Sequence, residues 1–156
     1  MNWFENAVFY HIYPIGYFGC PRQNDFTSEP THKILRIIDD IPHIKELGCN
    51  AVYFGPVFES SAHGYDTADY TKIDRRLGTN EDFKKVCDAL HENGIRVVLD
   101  GVFNHVGRDF WAFRDVRENK LGSAKKDWFH VREGNDGYND GFWYEGWEGH
   151  YELVKL

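Results

Sequence analysis

The sequence predicts an α/β fold built on a parallel β-sheet. Three short apolar runs rich in β-branched and aromatic residues alternate with two segments whose apolar residues recur at helical spacing. The order strand, helix, strand, helix, strand with short connections is that of two βαβ units, which place their strands side by side in parallel. Polar residues directly follow the apolar runs, at the edge of the sheet where α/β proteins bind their ligands.

The three predicted strands are residues 7–13, 51–58 and 95–99. Pro14 ends the first run, and Pro56 stops the second near its end. Proline has no backbone N–H to donate within a sheet, so both positions are expected to mark where regular strand pairing stops. The third run carries no proline or glycine and leads directly into a group of polar residues.

The segment between the first two strands is predicted to hold a helical turn and a helix. Isoleucine and leucine recur at helical spacing over residues 34–47, but Pro42 interrupts the pattern just after Asp39 and Asp40. We therefore expect a short helical turn and then a second helix, capped by an aspartate and carrying Pro42 in its first turn. Gly48 is expected to end it.

The segment between the second and third strands predicts one amphipathic helix. Thr79 or Asn80 is the expected N-terminal cap, and Asn93-Gly94 is the expected end. The apolar face of this helix consists of Phe83, Val86, Ala89 and Leu90.

Composition and charge exclude several classes of partner. The 156 residues are enough for one domain with a sizeable core. A net charge of −7 without a basic cluster argues against a nucleic-acid or anionic-membrane partner, and no apolar run is long enough to span a membrane. The N-terminus lacks the pattern of a signal peptide, and three scattered cysteines form no CxxC pair. We expect reduced thiols and a cytoplasmic protein.

Aromatic residues make up 17% of the chain, a surplus that suits either a carbohydrate site or an aromatic core. The composition changes near residue 108, where helical and strand periodicity is lost. Five glycines then lie among aromatic residues over residues 134–149. We predict a segment over residues 1–107 that carries the regular α/β elements, followed by an irregular aromatic insertion over residues 108–156.

Polar groups follow all three predicted strands, which predicts a functional rim rather than ordinary core. The first group lies within or at the end of strand one, the second in the loop after strand two, and the third after strand three. Their members are Tyr10, His11 and Tyr13; Glu59, His63, Tyr65, Asp66, Asp69 and Tyr70; and Asp100, Asn104 and His105.

Several of these residues have simpler interpretations. Asp100 could serve only to accept backbone N–H groups of the next turn, and Glu59 has the sequence context of an exposed loop. His63 and His105 lack the HxxxH or HxH spacing of zinc sites, whereas Asn104 with backbone carbonyls would better suit calcium. Neither a GxGxxG nor a Walker sequence is present, so no nucleotide or organic cofactor is expected.

Three blocks of the sequence resemble the α-amylase family of glycoside hydrolases. They are AVFYHIYPIGYFG at 7–19, HGYDTADYTKIDRRLGT at 63–79 and DGVFNH at 100–105. They stand in the family's order and spacing and cover residues 7 to about 107. The resemblance implies a (β/α)8 TIM-type barrel, of which this chain would hold the first three strands and two helical segments. The insertion over 108–156 is similar to the start of domain B, which family members carry after strand three.

The resemblance also implies roles for individual residues. Tyr65 would stack on the sugar where the bond breaks, and His105 would hydrogen-bond that sugar's hydroxyls. Asp100 would lie beneath the site and orient its neighbours, and Asn104 would be a ligand in members that bind calcium. Two further residues of the second block, His63 and Asp66, are expected to support the site.

One position departs from exo-acting relatives. These often carry an aspartate three residues before the stacking tyrosine, where this chain has Ala62. The resemblance therefore favours longer α-1,4-glucans or cyclic dextrins over short chain ends.

A larger departure concerns catalysis. Retaining hydrolysis needs a carboxylate nucleophile and a carboxylic acid about 5 Å apart. In the family these groups end strands four and five, and a stabilising aspartate follows strand seven. The sequence ends at Leu156, inside the insertion, so none of the three is expected here. We expect a fragment that is inactive alone, whose exposed sheet edges need the missing C-terminal half or oligomerisation to cover them.

The predicted function is thus that of part of a retaining hydrolase of α-1,4-glucosidic bonds in starch, maltooligosaccharides or cyclodextrins. One alternative is a self-contained carbohydrate-binding module that uses Tyr65 with Trp143 and Trp147. Another is a non-catalytic domain assembled with a partner chain that supplies the missing strands. A further alternative is a complete enzyme that takes its carboxylates from this chain: Glu59 with Asp66 or Asp100.

Overall fold

The computed structural model describes residues 2–156; Met1, the first residue of the predicted segment 1–107, lies outside the described residues. The helices are α1 (Pro14–Tyr17), α2 (Ile37–Glu46), α3 (Asn80–Glu92) and α4 (Trp111–Asn119). The strands are β1 (Phe9–Ile12), β2 (Ala51–Phe54), β3 (Phe58–Ser60), β4 (Thr67–Ile73), β5 (Arg96–Leu99), β6 (His105–Gly107), β7 (Val131–Arg132), β8 (Trp143–Tyr144), β9 (Gly146–Trp147) and β10 (His150–Lys155). Short 3-10 turns are found at Trp3–Asn6, Lys33–Arg36, Lys120–Gly122 and Lys126–Trp128.

The chain divides into two units. The first, called here the sheet unit, runs to Val57 and resumes at Lys72–Gly101. The second, called here the loop unit, comprises Phe58–Thr71 and Val102–Leu156.

The sheet unit contains the predicted parallel sheet, in the order β1-β2-β5. Phe9 pairs with Ala51 and Ala51 with Arg96, so the three strands run in parallel and in step. The central strand β2 is the most buried, with Val52 and Phe54 at 0% exposure. The outer strands keep more solvent contact, which leaves apolar side chains exposed at both sides of this sheet: Val8, Phe9 and Leu99.

The predicted break at Pro42 is wrong, because helix α2 continues through this residue. The structure has one helix that follows directly on a 3-10 turn, with Pro42 in its interior and no aspartate cap at its start. Proline there removes one backbone hydrogen bond of the helix. The helix persists because its apolar stripe, formed by Ile37, Ile41 and Ile44, is almost completely buried.

Helix α3 confirms both predicted ends. Thr79 caps the N-terminus in a capping box, in which its hydroxyl accepts from the Asp82 N–H and the Asp82 carboxylate accepts from the Thr79 N–H. Asn93 is the C-terminal cap, and Gly94 follows with a φ of 74°, a value that glycine adopts without strain.

The loop unit is more regular than its sequence predicted. Strands β6, β10 and β9 form an antiparallel sheet, and β3 pairs with β4 and β7 with β8. The region after residue 108, predicted to be irregular, also contains helix α4. Three of its residues, Ala112, Phe113 and Val116, are buried in an aromatic core with Phe129, Phe142 and Tyr144.

Two further features bear on the expected setting of the chain. Within residues 2–156, no helix has the length and apolar character needed to cross a membrane. All three cysteines are half-buried free thiols: Cys20, Cys49 and Cys87.

Candidate functional site

In the sheet unit, Asp100 follows β5 directly and is held by the neighbouring strand. Its backbone N–H donates to the Phe54 carbonyl oxygen at 2.9 Å, and its Oδ2 accepts from the Tyr53 hydroxyl at 2.9 Å. The Tyr53 ring lies 5.0 Å from the His11 ring, on the adjacent strand. The carboxyl ends of the parallel strands therefore carry a connected polar group of His11, Tyr53 and Asp100.

Tyr53 was not among the residues predicted for this group. It lies inside the apolar run of β2, where an aromatic residue is expected to be core. Its hydroxyl near the end of a strand was the available signal, because a half-buried tyrosine usually finds a hydrogen-bond partner for that group.

In the loop unit, the segment between β3 and β4 is closed around Asp66. This residue is 6% exposed, and its Oδ1 accepts from the Gly64 N–H at 3.2 Å. The Asp66 carbonyl oxygen accepts from the Ser61 N–H at 3.2 Å, and the Ser61 hydroxyl donates to Asp109 at 2.8 Å. These bonds fix the backbone from which two neighbouring residues, His63 and Tyr65, project.

Tyr65 is the exposed member of this loop, with 39% of its surface in contact with solvent. Its backbone N–H donates to Nδ1 of His63 at 3.2 Å, and the two rings lie 6.1 Å apart. His63 Nδ1 also lies 3.7 Å from the Asp66 carboxylate. The loop thus presents an exposed aromatic ring beside an imidazole.

His105 begins strand β6 and is 7% exposed. Its ring lies 5.7 Å from the ring of Trp147, and its Nδ1 is 3.2 Å from the side-chain nitrogen of Asn104. That contact favours an acceptor at Nδ1 and therefore a proton at Nε2. Among the described residues, the buried Nε2 has no hydrogen-bond partner in good geometry.

Burial lowers the pKa of His105 below its usual value. The backbone of Tyr65 acts in the opposite direction, the positive charge of His63 lowers the pKa further, and the Asp66 carboxylate raises it. The net direction is down, so near neutral pH the imidazole is mainly uncharged and can donate one hydrogen bond from Nε2.

Three other candidates, Glu59, Trp147 and Trp143, lie in surroundings that the sequence did not predict. Glu59 is not in an exposed loop but in strand β3, where it is 4% exposed. Trp147 lies beside His105, whereas Trp143 packs against the Arg132 guanidinium at 4.1 Å. The aromatic pair proposed for a binding module is therefore divided between two environments.

The residues present do not fit a calcium site at Asn104. In the part of the chain that the structure describes, no three His, Cys, Asp or Glu side chains are grouped to hold a metal ion. Calcium takes six to eight oxygen ligands. The amide nitrogen of Asn104 is directed at His105, and its backbone carbonyl oxygen accepts from the Leu156 N–H at 3.2 Å.

Most of the chain matches known proteins. The family model of the α-amylase catalytic domain matches residues 30–153. The chain belongs to the α-amylase family. This family consists of α-amylase-type glycoside hydrolases, as the resemblance of the three sequence blocks predicted.

Curated relatives within the α-amylase family share extensive identity with this chain. A cyclomaltodextrinase from a Bacillus species is 42% identical over 144 residues, which cover 83% of this chain and 26% of the relative. A maltogenic α-amylase from Bacillus acidopullulyticus is 40% identical over 146 residues, which cover 85% of this chain and 25% of the relative. The chain therefore spans about a quarter of the length of these curated relatives.

Solved structures of the family match the fold. The cyclic α-maltosyl-(1→6)-maltose hydrolase from Arthrobacter globiformis, in complex with cyclic α-maltosyl-(1→6)-maltose, superposes with a TM-score of 0.81 at 39% identity. The match covers 99% of this chain and 38% of that protein. The mixed α/β fold predicted from the sequence is thus that of an α-amylase family member.

Proposed function

We propose that this chain is part of a retaining hydrolase of α-1,4-glucosidic bonds and contributes the sugar-binding side of its active site. The observation that carries the proposal is the pairing of Tyr65 and His105 in the loop unit. One presents an exposed aromatic ring, and the other a buried imidazole whose ring lies beside that of Trp147. The names of the curated relatives, cyclomaltodextrinase and maltogenic α-amylase, favour cyclodextrins, maltooligosaccharides or starch as substrates.

Each residue has a chemical role in this proposal. A glucose ring presents apolar C–H faces that pack on an aromatic plane, and the Tyr65 ring supplies one. The His105 Nε2–H donates to a sugar hydroxyl, an interaction that gains strength where water is excluded. Asp100 is oriented by the Tyr53 hydroxyl, and His63 and Asp66 fix the loop that carries Tyr65.

We assign the two catalytic carboxylates to a part of the protein outside these 156 residues. Retaining hydrolysis needs a nucleophile and an acid about 5 Å apart across the glycosidic bond. Glu59 and Asp66 are 4% and 6% exposed, and Asp66 already accepts a backbone hydrogen bond. The Asp66 carboxylate thus holds the backbone of the loop that carries Tyr65, which argues against its acting as a catalytic carboxylate of a complete enzyme.

The proposed function also implies a domain organisation, a cellular location and a question about calcium. Residues 1–107 would form the N-terminal part of a (β/α)8 barrel, and residues 108–156 the start of a domain B-like insertion. A cytoplasmic location is favoured by an intracellular maltogenic amylase from Bacillus subtilis that is 34% identical over 147 residues. Calcium, if required, would need oxygen ligands beyond Asn104, and titration of the chain with Ca²⁺ in a calorimeter would detect it.

Calorimetric titration with β-cyclodextrin and maltoheptaose tests the sugar-binding role. We expect Tyr65→Ala to raise the Kd about tenfold, equivalent to about 1.4 kcal/mol, because the stacking surface is lost. Tyr65→Phe keeps the ring and should bind nearly as well as the unchanged chain. The matched control is Tyr138→Ala, which removes a comparably exposed tyrosine of the loop unit that packs against Arg108.

Turnover separates the alternatives. We expect the chain alone to bind glucan without releasing reducing ends, and the longer protein that contains it to hydrolyse the same substrates. Hydrolysis by the pure 156-residue chain that Glu59→Gln abolishes would contradict the proposal. Saturable binding by a longer protein that never hydrolyses would favour the carbohydrate-binding alternative, and a stable oligomer would favour assembly with a partner chain.

A further inference from the structure

The turn that leads into β6 contains a residue in an unusual conformation. Val102 has a φ of 45°, in the left-handed region. Glycine and asparagine enter this region readily, whereas a β-branched residue is a genuine outlier there. Such a conformation persists where the surrounding structure holds it in place, and it is concentrated at functional sites.

Tyr70, in strand β4, contacts this turn directly. Its hydroxyl donates to the Val102 carbonyl oxygen at 2.6 Å and lies 3.4 Å from the His105 carbonyl oxygen. The hydroxyl therefore bridges both ends of the segment that carries Phe103 and Asn104. Bonds at these two points define the direction in which the chain enters β6.

The ring of Tyr70 is itself held by three aromatic neighbours of the loop unit. The ring centroids of Phe58, Phe103 and Phe110 lie 5.7, 5.8 and 5.9 Å from that of Tyr70. Because packing fixes the ring, the hydroxyl is presented at a defined point. Two of these neighbours, Phe58 and Phe110, belong to segments outside the turn, so Tyr70 ties the turn to the rest of the loop unit.

We propose that Tyr70 is a positioning residue, whose hydroxyl holds Val102 in its left-handed conformation and thereby sets the placement of His105. The inference rests on the proposed function for the claim that His105 contacts sugar. The claim that Tyr70 positions Val102 and His105 depends only on contacts within the loop unit. In the alternative, Tyr70 is only an aromatic core residue whose hydroxyl is incidental.

The experiment compares Tyr70→Phe, Val102→Gly and the double variant by NMR. The ring protons of His105 report its placement, because the Trp147 ring at 5.7 Å shifts their resonances. Tyr70→Phe keeps the packed ring and removes the hydroxyl, so we expect the His105 ring protons and the amides of residues 103–105 to shift. Glycine adopts the left-handed conformation without strain, so Val102→Gly should reduce this effect in the double variant.

The control is Tyr144→Phe, which also removes a tyrosine hydroxyl that donates to a backbone carbonyl in the loop unit, at 2.8 Å from Tyr151. We expect it to lower stability and leave the His105 resonances in place. Unchanged resonances in Tyr70→Phe, or an equal effect with and without Val102→Gly, would overturn the proposal. If Tyr70→Phe does not fold, folding of the double variant supports the proposal and its failure overturns it.

Binding of β-cyclodextrin tests whether the placement of His105 by Tyr70 matters for sugar binding. Tyr70→Phe should raise the Kd by up to about tenfold, the range expected for one hydrogen bond, and Val102→Gly should restore part of the affinity. The two proposals can fail separately. If the NMR shifts are as expected but neither the unchanged chain nor any variant binds cyclodextrin, the positioning role of Tyr70 is supported and the proposed function is contradicted.

Discussion

A Cβ atom on Gly107 would lie 2.7 Å from the backbone carbonyl carbon of Asp66 and closer still to its oxygen. The φ of Gly107 is not in the left-handed region, so glycine is required here by space rather than by backbone conformation. Strand β6 can therefore approach the loop that carries Tyr65. Because His105 begins the same strand, this close approach also helps to determine where His105 lies.

We predict that Gly107→Ala destabilises the chain by about 1–3 kcal/mol, since backbone atoms would have to separate to admit the methyl group. Urea denaturation followed by tryptophan fluorescence would measure the change. The matched control is Gly122→Ala, because a Cβ at Gly122 meets no atom within 4 Å. Equal unfolding midpoints for the two variants would show that the approach of β6 to Asp66 is not required.

The Asp74–Arg76 ion pair gives a second prediction. The two side chains are 0% and 5% exposed, and the guanidinium donates to both carboxylate oxygens, at 2.8 and 2.7 Å. Arg76→Met should destabilise the chain by about 3–5 kcal/mol, because it removes the cation from beside a buried carboxylate. Lys84→Met breaks an exposed ion pair with Asp88 and should leave the unfolding midpoint unchanged. Similar midpoints for both variants would contradict this prediction.

The capping box of α3 gives a third. Thr79→Ala should cost about 1 kcal/mol, because the Asp82 N–H loses its acceptor at the end of the helix. Thr79→Ser keeps the hydroxyl and should restore most of the stability. Thermal unfolding followed by circular dichroism would compare them, and an alanine variant as stable as the serine variant would rule the cap out as a source of stability.

The pKa of Asp82 leads us to expect that the free energy of unfolding depends on pH. Burial raises its pKa, but hydrogen bonds from His32, at 2.6 Å, and from Thr79 outweigh this and hold the pKa below its usual value. A carboxyl with a lowered folded-state pKa adds stability above its unfolded value of about 3.9, and that stability is lost as pH falls through the folded value. The free energy of unfolding should therefore fall in acid, and less steeply in Asp82→Asn. Parallel curves for the two proteins between pH 3 and 7 would contradict this.

Elements with strong local signals were predictable from the sequence. The three strands of the parallel sheet follow from β-branched apolar runs, and α3 follows from its cap, its apolar face and Gly94. The error at Pro42 has a tertiary cause, because burial of the isoleucine stripe of α2 outweighs the lost backbone bond. Helix α4 was missed because nine residues give too few periods for its apolar face to stand out among aromatic neighbours.

The residues of the candidate site were also predictable only in part. Tyr65, Asp66 and His105 could be selected from the sequence because they lie in the polar groups that follow the predicted strands and in the blocks that resemble the α-amylase family. The contacts between distant segments could not, since the two partners are far apart along the chain. Tyr53 bonds Asp100 across 47 positions, and nothing local to either residue indicates the other.

The sequence by itself determined the α/β class, the parallel sheet and the family, and it provided the candidates for sugar binding, because these depend on periodicity, capping and motif order along the chain. Three features were decided by the tertiary structure alone. They are the burial of Glu59, the left-handed backbone conformation of Val102, whose carbonyl accepts from the Tyr70 hydroxyl, and the close packing that leaves no room for a Cβ at Gly107. Each of these depends on which distant segments meet. Packing sets that outcome through many weak contacts, which no local pattern of residues encodes.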